Sequence, residues 1–319
     1  MIPAKVPLSL LPTPLHRLDG MSRELGLDLW IKRDDLTGFA MGGNKGRKLE
    51  YLIAEALAQR VEVVVTCGAA QSNFVRQLAS ACAVHGMQCA AVIMELPFED
   101  EPAQGSRLNP KVGNPTLNNI LGVDLRLLPD GSWEELYAAT ERLAQEYEAQ
   151  SKRVYRIPIG GSSPLGAYAF YQAAQEIPEG FDWIVTASSS GSTQTGLAYA
   201  FHNTATKVLG ICSDPEPEMV HDFAALGETL ADLIDLPYRL QPEDFLANFD
   251  FVGPGYGVPS EAGNAAIASL AKSDGVFLDP IYSGKAFAAL IALAKEGQLS
   301  GKILFWHTGG LPTLFAANL

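Results

Sequence analysis

"VEVVVTCGAAQSNFVRQLASACAVHGMQCAAVIM", residues 61–94, decides the fold class. Its opening "VEVVVTC" (61–67) is a β-branched run of the kind buried on both faces of a parallel sheet. "NFVRQLASACAVHG" (73–86) reads as a helix closed at Gly86, which suits a left-handed C-cap. "CAAVIM" (89–94) is the next strand. Strand, helix and strand in this order form a βαβ unit with parallel strands and a right-handed crossover.

The alternation continues outward from this unit. Upstream, "LDLWIKRDDL" (27–36) reads as a strand and its exit. It leads into "TGFAMGGNKGRKLEYLIAEAL" (37–57), where Leu49, Leu52, Ile53 and Ala56 repeat with helical spacing. Downstream, residues 97–119 are polar and rich in Pro and Gly, a long loop with a short helix beginning near its end. "VDLRLL", the charged helix "SWEELYAATERLAQEYEAQ", "VYRIPIGGSSPLGAYAFYQAAQEI", "DWIVTASSSGSTQTGLAYAF", "KVLGIC" and "KILFWHTGG" follow. The pattern predicts an α/β protein of two domains, each an open, mostly parallel sheet flanked by helices. Residues 1–47 and 161–319 are expected to form the larger, discontinuous domain, and 48–160 a smaller inserted one.

Composition excludes some classes of partner. The 319-residue chain carries a formal net charge of −13, which disfavours nucleic acid and anionic membranes as partners. No apolar stretch approaches the roughly 20 residues that span a bilayer. The proline-broken N-terminus, "MIPAKVPLSLLPTPLHRL", lacks a signal-peptide core, so a cytoplasmic protein is expected. Cys67, Cys82, Cys89 and Cys212 show no metal-ligand spacing and are expected to be buried thiols; no metal is expected.

Ligands of open α/β sheets bind where strands end and helices begin. Four such loops hold small or polar residues. "SSSGSTQTG" (188–196) offers backbone amides and hydroxyls at a helix start, an anion cradle without P-loop or dinucleotide signature. "GAAQSNFVRQ" (68–77) aims Ser72, Asn73 and the amide of Phe74 at a small carboxylate. "DPIYSGK" (279–285) places Tyr282 and Lys285 at a loop-to-helix junction, and "HTGG" (307–310) follows the last strand. Each loop alone also reads as an ordinary N-cap or a structural side chain. Together with Lys45, framed by glycines, they suit a phosphate-bearing aldehyde.

The chain resembles the fold-type II pyridoxal-phosphate enzymes, in the branch of 1-aminocyclopropane-1-carboxylate deaminase and D-cysteine desulfhydrase. "LPTPLHRL", "IKRDDLTGFAMGGNKGRKLEYL", "GAAQSNFVRQ", "IPIGGSSPLGAYAF", "SSGSTQTGL", "GPGYGVPSEAG", "LDPIYSGKA" and "FWHTGG" carry the resemblance, in family order and over nearly the whole chain. It implies a fold like that of the tryptophan synthase β-subunit, with pyridoxal 5'-phosphate as cofactor and a small amino acid as substrate. Lys45 corresponds to the covalent anchor of the cofactor, and Ser190, Gly191, Ser192 and Thr193 to the phosphate loop. Asn73 corresponds to the partner of the cofactor's phenolic oxygen, and Ser72 with neighbouring amides to the carboxylate site. Tyr256 and Tyr282 correspond to the pocket tyrosines, while Lys48 reads as structural or as a helper charge.

The deaminase branch carries a glutamate directly after the tyrosine of DPxY, paired with the cofactor's ring nitrogen, and a leucine in HLGG. Here Ser283 and Thr308 stand at those positions. Neutral hydroxyls imply a weaker electron sink, sufficient when a good leaving group departs from Cβ. The resemblance therefore implies β-elimination, foremost D-cysteine to pyruvate, hydrogen sulfide and ammonia, with Lys45 as the base at Cα. L-cysteate and 1-aminocyclopropane-1-carboxylate are alternative substrates. Phe74, on the substrate side, and Trp306 depart from the family pattern and are expected either to shift substrate choice or to serve packing. Other readings are β-replacement or racemisation on the same fold, and a pyridoxal-phosphate carrier without turnover. A homodimer is expected because the family commonly forms one.

Overall fold

The computed structural model describes residues 2–99 and 102–317; Met1, Asp100, Glu101, Asn318 and Leu319, all within the expected domain spans, lie outside the described residues. Its strands, in chain order, are β1 (Leu15–Arg17), β2 (Asp28–Arg33), β3 (Val63–Ala69), β4 (Gln88–Met94), β5 (Asp124–Leu127), β6 (Val154–Arg156), β7 (Trp183–Ser188), β8 (Lys207–Cys212), β9 (Leu246–Asn248) and β10 (Lys302–His307). They form two sheets. The larger runs β1-β2-β10-β7-β8-β9, the smaller β5-β4-β3-β6. All pairings are parallel except β1 against β2.

The parity of each strand decides which layer its side chains enter. Ile303 and Phe305 of β10 join Leu29, Ile31 and Val185 beneath the helices Glu261–Asp274 and Ser283–Lys295. Leu304 and Trp306 point the other way, with Ile184 and Val208, into the layer of helices Pro164–Ala173, Ser192–Phe201 and Met219–Leu233. In the smaller sheet, Val63, Val65 and Cys67 pack under helix Trp133–Ala149. Val64 packs on the opposite side with Leu49, Leu52 and Ile53 of helix Lys45–Ala58 and with Phe74 and Leu78 of helix Asn73–Val84. Both sheets are thus covered on two faces, which is why their strands read as nearly continuous apolar runs.

The expected βαβ unit appears as β3, helix Asn73–Val84 and β4, with Gly86 at φ +70° just past the helix. The short helix of the polar loop is Asn114–Ile120. The 47/48 boundary drawn from sequence falls inside helix Lys45–Ala58. All four cysteines are free and buried. Among the described residues no helix is long and apolar enough to cross a membrane.

Trp306 answers one expectation. Its even parity on β10 sends it away from the strand ends into the core, where it is fully buried. Its indole N–H donates to Asp34 Oδ2 at 2.9 Å, and its ring meets Phe170 at 6.0 Å between centroids. Trp306 is therefore a packing residue, and the idea that it shapes the substrate pocket is corrected.

Candidate active site

A cavity of about 890 Å³ opens at the carboxyl ends of the parallel strands of both sheets. Lys45, Ser72, Asn73, Phe74, Ser190, Gly191, Thr193, Tyr256, Tyr282 and Thr308 all line it. These come from loops after β2, β3, β7, β9 and β10 and from the turn before helix Ser283–Lys295.

Lys45 is the first residue of helix Lys45–Ala58. The chain reaches it through Gly42, whose φ of +74° would place a Cβ 1.8 Å from the carbonyl oxygen of Asp35. The glycine is what lets the loop turn tightly enough to bring the amine to the strand ends. Two residues further, Arg47 ties the same helical turn to the core. It donates to both carboxylate oxygens of Asp34 at 2.8 Å and to Glu176 at 2.7 and 2.9 Å. Lys32 reaches Glu176 at 2.6 Å. Removing one member of such a buried pair costs roughly 3–5 kcal/mol, so the turn that presents Lys45 is firmly held.

Lys48 also lines the cavity and donates to the carbonyl of Gly160 at 3.1 Å. Burial lowers the pKa of Lys45 to about 8. Burial, reinforced by the neighbouring Lys45, holds Lys48 well below the ordinary lysine value. Burial therefore favours the neutral, nucleophilic form of both amines, while their mutual contact lowers Lys48 and partly restores Lys45.

Asn44 occupies the N-cap position of this helix yet makes no cap bond. Its amide instead donates to the Thr193 hydroxyl at 3.1 Å, across 149 residues of sequence. Thr193 belongs to the first turn of helix Ser192–Phe201, whose N-cap is Gly191 and whose first turn holds no acidic residue. The opening N–H groups of a helix have no intrahelical partner. Here no side chain caps them. At Gly191, φ is +90° and a Cβ would stand 2.3 Å from the Phe223 ring. Ser192 does not line the cavity; its hydroxyl, like that of Ser188, is buried without a partner. Ser162 donates to the carbonyl of Ser190 and braces the loop. An uncapped helix start beside the cavity-lining Ser188, Ser190, Gly191 and Thr193 forms a cradle that a phosphate fits.

Ser72 caps helix Asn73–Val84 by accepting from Val75 N at 3.2 Å. Asn73 has its side-chain oxygen committed to Arg76 Nη1 at 2.7 Å and Asn114 Nδ2 at 3.0 Å. That fixes the amide and leaves its NH₂ for a ligand acceptor. Phe74 is almost wholly buried and lines the cavity.

Across the cavity the Tyr256 and Tyr282 hydroxyls are 2.8 Å apart. Burial raises both phenol pKa values, so the pair stays protonated. The Asp279 carboxylate cages the turn that carries Tyr282. It accepts from the N–H groups of Ile281, Tyr282 and Ser283 at 2.9, 2.9 and 2.7 Å, and from the Ser283 hydroxyl at 2.5 Å. Ser283 consequently faces Asp279 and does not line the cavity, unlike Thr308. Sequence reasoning gave no role to Asn44, Ser162 or Asp214. Asp214 lines the cavity with its pKa raised by burial, against hydroxyl bonds from Ser189 and Ser213. Asn44 stood inside the quoted GGNK motif, and its polar type next to Lys45 was the available signal.

Comparison with known proteins agrees with this geometry. Residues 6–309 match the family model of the pyridoxal-phosphate dependent enzymes. A D-cysteine desulfhydrase of Salmonella typhimurium strain LT2 is 40% identical over 320 residues, covering 96% of this chain and 93% of that protein. The crystal structure of a homologue of ACC deaminase superposes with a TM-score of 0.87 at 34% identity, covering 97% of this chain and 93% of the other. A hydrogen sulfide-producing enzyme from Fusobacterium nucleatum, at 16% identity and a TM-score of 0.65, covers 94% of this chain and 96% of its own and shares the fold. The chain belongs to the pyridoxal-phosphate dependent enzymes and has their two-sheet, fold-type II architecture.

Proposed function

We propose that this pyridoxal-phosphate enzyme is a lyase that eliminates the sulfur of D-cysteine, releasing pyruvate, hydrogen sulfide and ammonia. The observation that carries the reading is the gathering of Lys45, Ser72, Asn73, Thr193, Tyr256, Tyr282 and Thr308 around one cavity. The substrate comes from the relatives, D-cysteine desulfhydrases that align over 96% of the chain.

Pyridoxal phosphate, when bound, supplies the electron sink for the charge left at the substrate's Cα. The chain's own residues do the rest. Ser190, Gly191, Ser192 and Thr193 would hold the phosphate, with Ser192 contributing backbone, and Thr308 would offer the cofactor a neutral hydroxyl. Asn73 would donate its amide to the cofactor's phenolic oxygen. Ser72 and the amides of Asn73 and Phe74 take the substrate carboxylate. Lys45 would anchor the cofactor and, once freed as a neutral amine, would remove the proton from Cα. The Cβ–S bond then breaks and the electron pair leaves with sulfur. Tyr256 and Tyr282, both protonated, hold a proton against it. The released enamine takes up water to give pyruvate and ammonia.

The same reading takes 1–47 and 161–319 as the cofactor domain and 48–160 as the smaller one; the six-stranded sheet between 15 and 307 and the four-stranded sheet between 63 and 156 support it. It places the enzyme in the cytoplasm as a homodimer. Leu10 and Leu36, brought close by the bond from Leu10 N to Thr37 O, are exposed apolar side chains of the kind an interface covers.

The test is product release from D-cysteine, L-cysteine, L-cysteate and 1-aminocyclopropane-1-carboxylate in parallel. Pyruvate and sulfide from D-cysteine are expected. 2-Oxobutyrate from the cyclopropane substrate instead would assign the deaminase reaction, and a yellow but inert protein would indicate a carrier.

A further inference from the structure

The lysine of "DPIYSGK" has no part in the chemistry above, yet it is one of the most buried side chains of the protein. Lys285 sits in the first turn of helix Ser283–Lys295 at 1% exposure. Its ammonium donates to two backbone carbonyls, Val252 at 2.7 Å and Gly255 at 2.9 Å. Both belong to residues 249–260, a segment between β9 and helix Glu261–Asp274 that is neither helix nor strand. A segment without a ladder has few bonds to fix it. Among the described residues, two backbone bonds reach it from outside, from Gln104 N to the carbonyl of Pro254 at 3.2 Å and, at its far end, from Asn264 N to the carbonyl of Ser260 at 2.9 Å. Tyr256 is the residue that follows Gly255.

The tyrosine pair therefore joins two segments. Tyr282 is fixed from its own side by the Asp279 cage. Tyr256 depends on a loop whose carbonyls are gripped by Lys285, three residues beyond Tyr282 on the same rigid turn. Burial lowers the pKa of Lys285 to about 8, while the nearby Asp214 and Asp279 carboxylates raise it. A buried amine is a costly way to fill space, and an apolar side chain would pack there without the desolvation.

We propose that Lys285 is a positioning residue: by holding the carbonyls of Val252 and Gly255 it sets the Tyr256 phenol against Tyr282 in the substrate cavity. The proposal rests on the reading of this tyrosine pair as the group that meets the substrate's side chain. Lys285 touches neither substrate nor cofactor and acts through Tyr256.

A double-mutant cycle separates positioning from general support. Lys285→Met keeps the length of the side chain and removes all its donors. Its kcat/KM on D-cysteine falls roughly 100-fold, the scale of a misplacement of about 1 Å. In a Tyr256→Phe background the same substitution changes kcat/KM less than about twofold. An equal fall in both backgrounds overturns the proposal. If Lys285→Met does not yield folded protein, Lys285→Gln, which keeps one donor group on a shorter arm, goes through the same cycle with the same criterion. A second readout needs neither cofactor nor substrate. In protein labelled with 3-fluorotyrosine, the resonance lost in Tyr256→Phe shifts in Lys285→Met; if it stays in place, the proposal fails. Wild-type protein inactive on D-cysteine would sink the functional reading and leave the resonance to decide this one.

Discussion

Of the helices that begin at the cavity, two treat their first turns in opposite ways. Helix Asn73–Val84 is capped by its own Ser72, which takes up one of the free N–H groups. Helix Ser192–Phe201 starts at Gly191, with no side chain on any of them. The third helix there, Lys45–Ala58, has an asparagine in capping position that bonds Thr193 instead. A side-chain cap is worth about 1 kcal/mol, so both uncapped starts give up stability in the protein alone. On the proposed reading, the difference follows the charge each end would meet. A substrate carboxylate would leave a donor to spare for Ser72, while a phosphate with up to two charges would use every donor offered.

The largest break in this picture is Lys45→Ala, which removes an amine from the cavity that both helix starts line. Turnover should vanish, and so should the visible absorbance of the bound cofactor. If the absorbance survives, another lysine holds the group. Gly191→Ala attacks the uncapped end. It forces a positive φ on a residue with a Cβ, which costs about 1–2 kcal/mol, and drives that Cβ into Phe223, adding about 1–3 kcal/mol of overpacking. Titration of cofactor into the apoprotein should show affinity weakened up to about 100-fold, with KM for the amino acid little changed in the saturated enzyme.

Ser72→Ala should do the reverse. Losing a hydrogen bond to a charged group is worth about 1.5 kcal/mol or more, so KM should rise roughly tenfold while cofactor affinity holds. Equal effects of the two substitutions on cofactor affinity would erase the proposed division of labour. The pH response of Lys45 is of similar size. Its lowered pKa, about 8, means the amine loses its proton well before an ordinary lysine does. Stopped-flow capture of pyridoxal phosphate by the apoprotein should accelerate about tenfold between roughly pH 7 and pH 9 and then level, since the reactive form is neutral. A rate still climbing at a pH near 10 would show a solvated amine. The smallest effect is expected from Asn44→Ala. The lost bond to Thr193 is worth about 1 kcal/mol, a roughly fivefold weakening of the cofactor with Ser72-dependent KM unchanged.

Much of this arrangement was legible in the residues. The β-branched runs that became β3, β7 and β8 and the glycine after helix Asn73–Val84 are local signals, and local signals survive without coordinates. The loop residues Ser72, Asn73 and Ser190 could be singled out because each follows a recognisable strand and opens a recognisable helix. The three-residue strands β1 and β9 are too short to show a period. The bond from Asn44 to Thr193 and the grip of Lys285 on Val252 and Gly255 depend on segments brought together only by the tertiary fold. The orientations of Trp306 and Ser283 were not legible for related reasons: strand parity turns one into the core, which selects packing of the two readings given to it, and the Asp279 cage turns the other from the cavity.

The buried cysteines acquire a meaning once hydrosulfide is taken as a product. A protein that releases it works in the presence of its own reductant, beside a nucleophile that converts oxidised thiols into persulfides. Such damage needs a cysteine that is accessible and easily ionised. Here Cys67, Cys82, Cys89 and Cys212 are all enclosed. Burial pushes the thiols of Cys67 and Cys212 up to about 11 and about 12. The hydrogen bond from Cys82, with burial, raises Cys89 further above its usual range. Cys67, Cys89 and Cys212 are not ready thiolates at neutral pH and Cys82 is buried, so hydrosulfide released in the proposed reaction would find no foothold on these thiols.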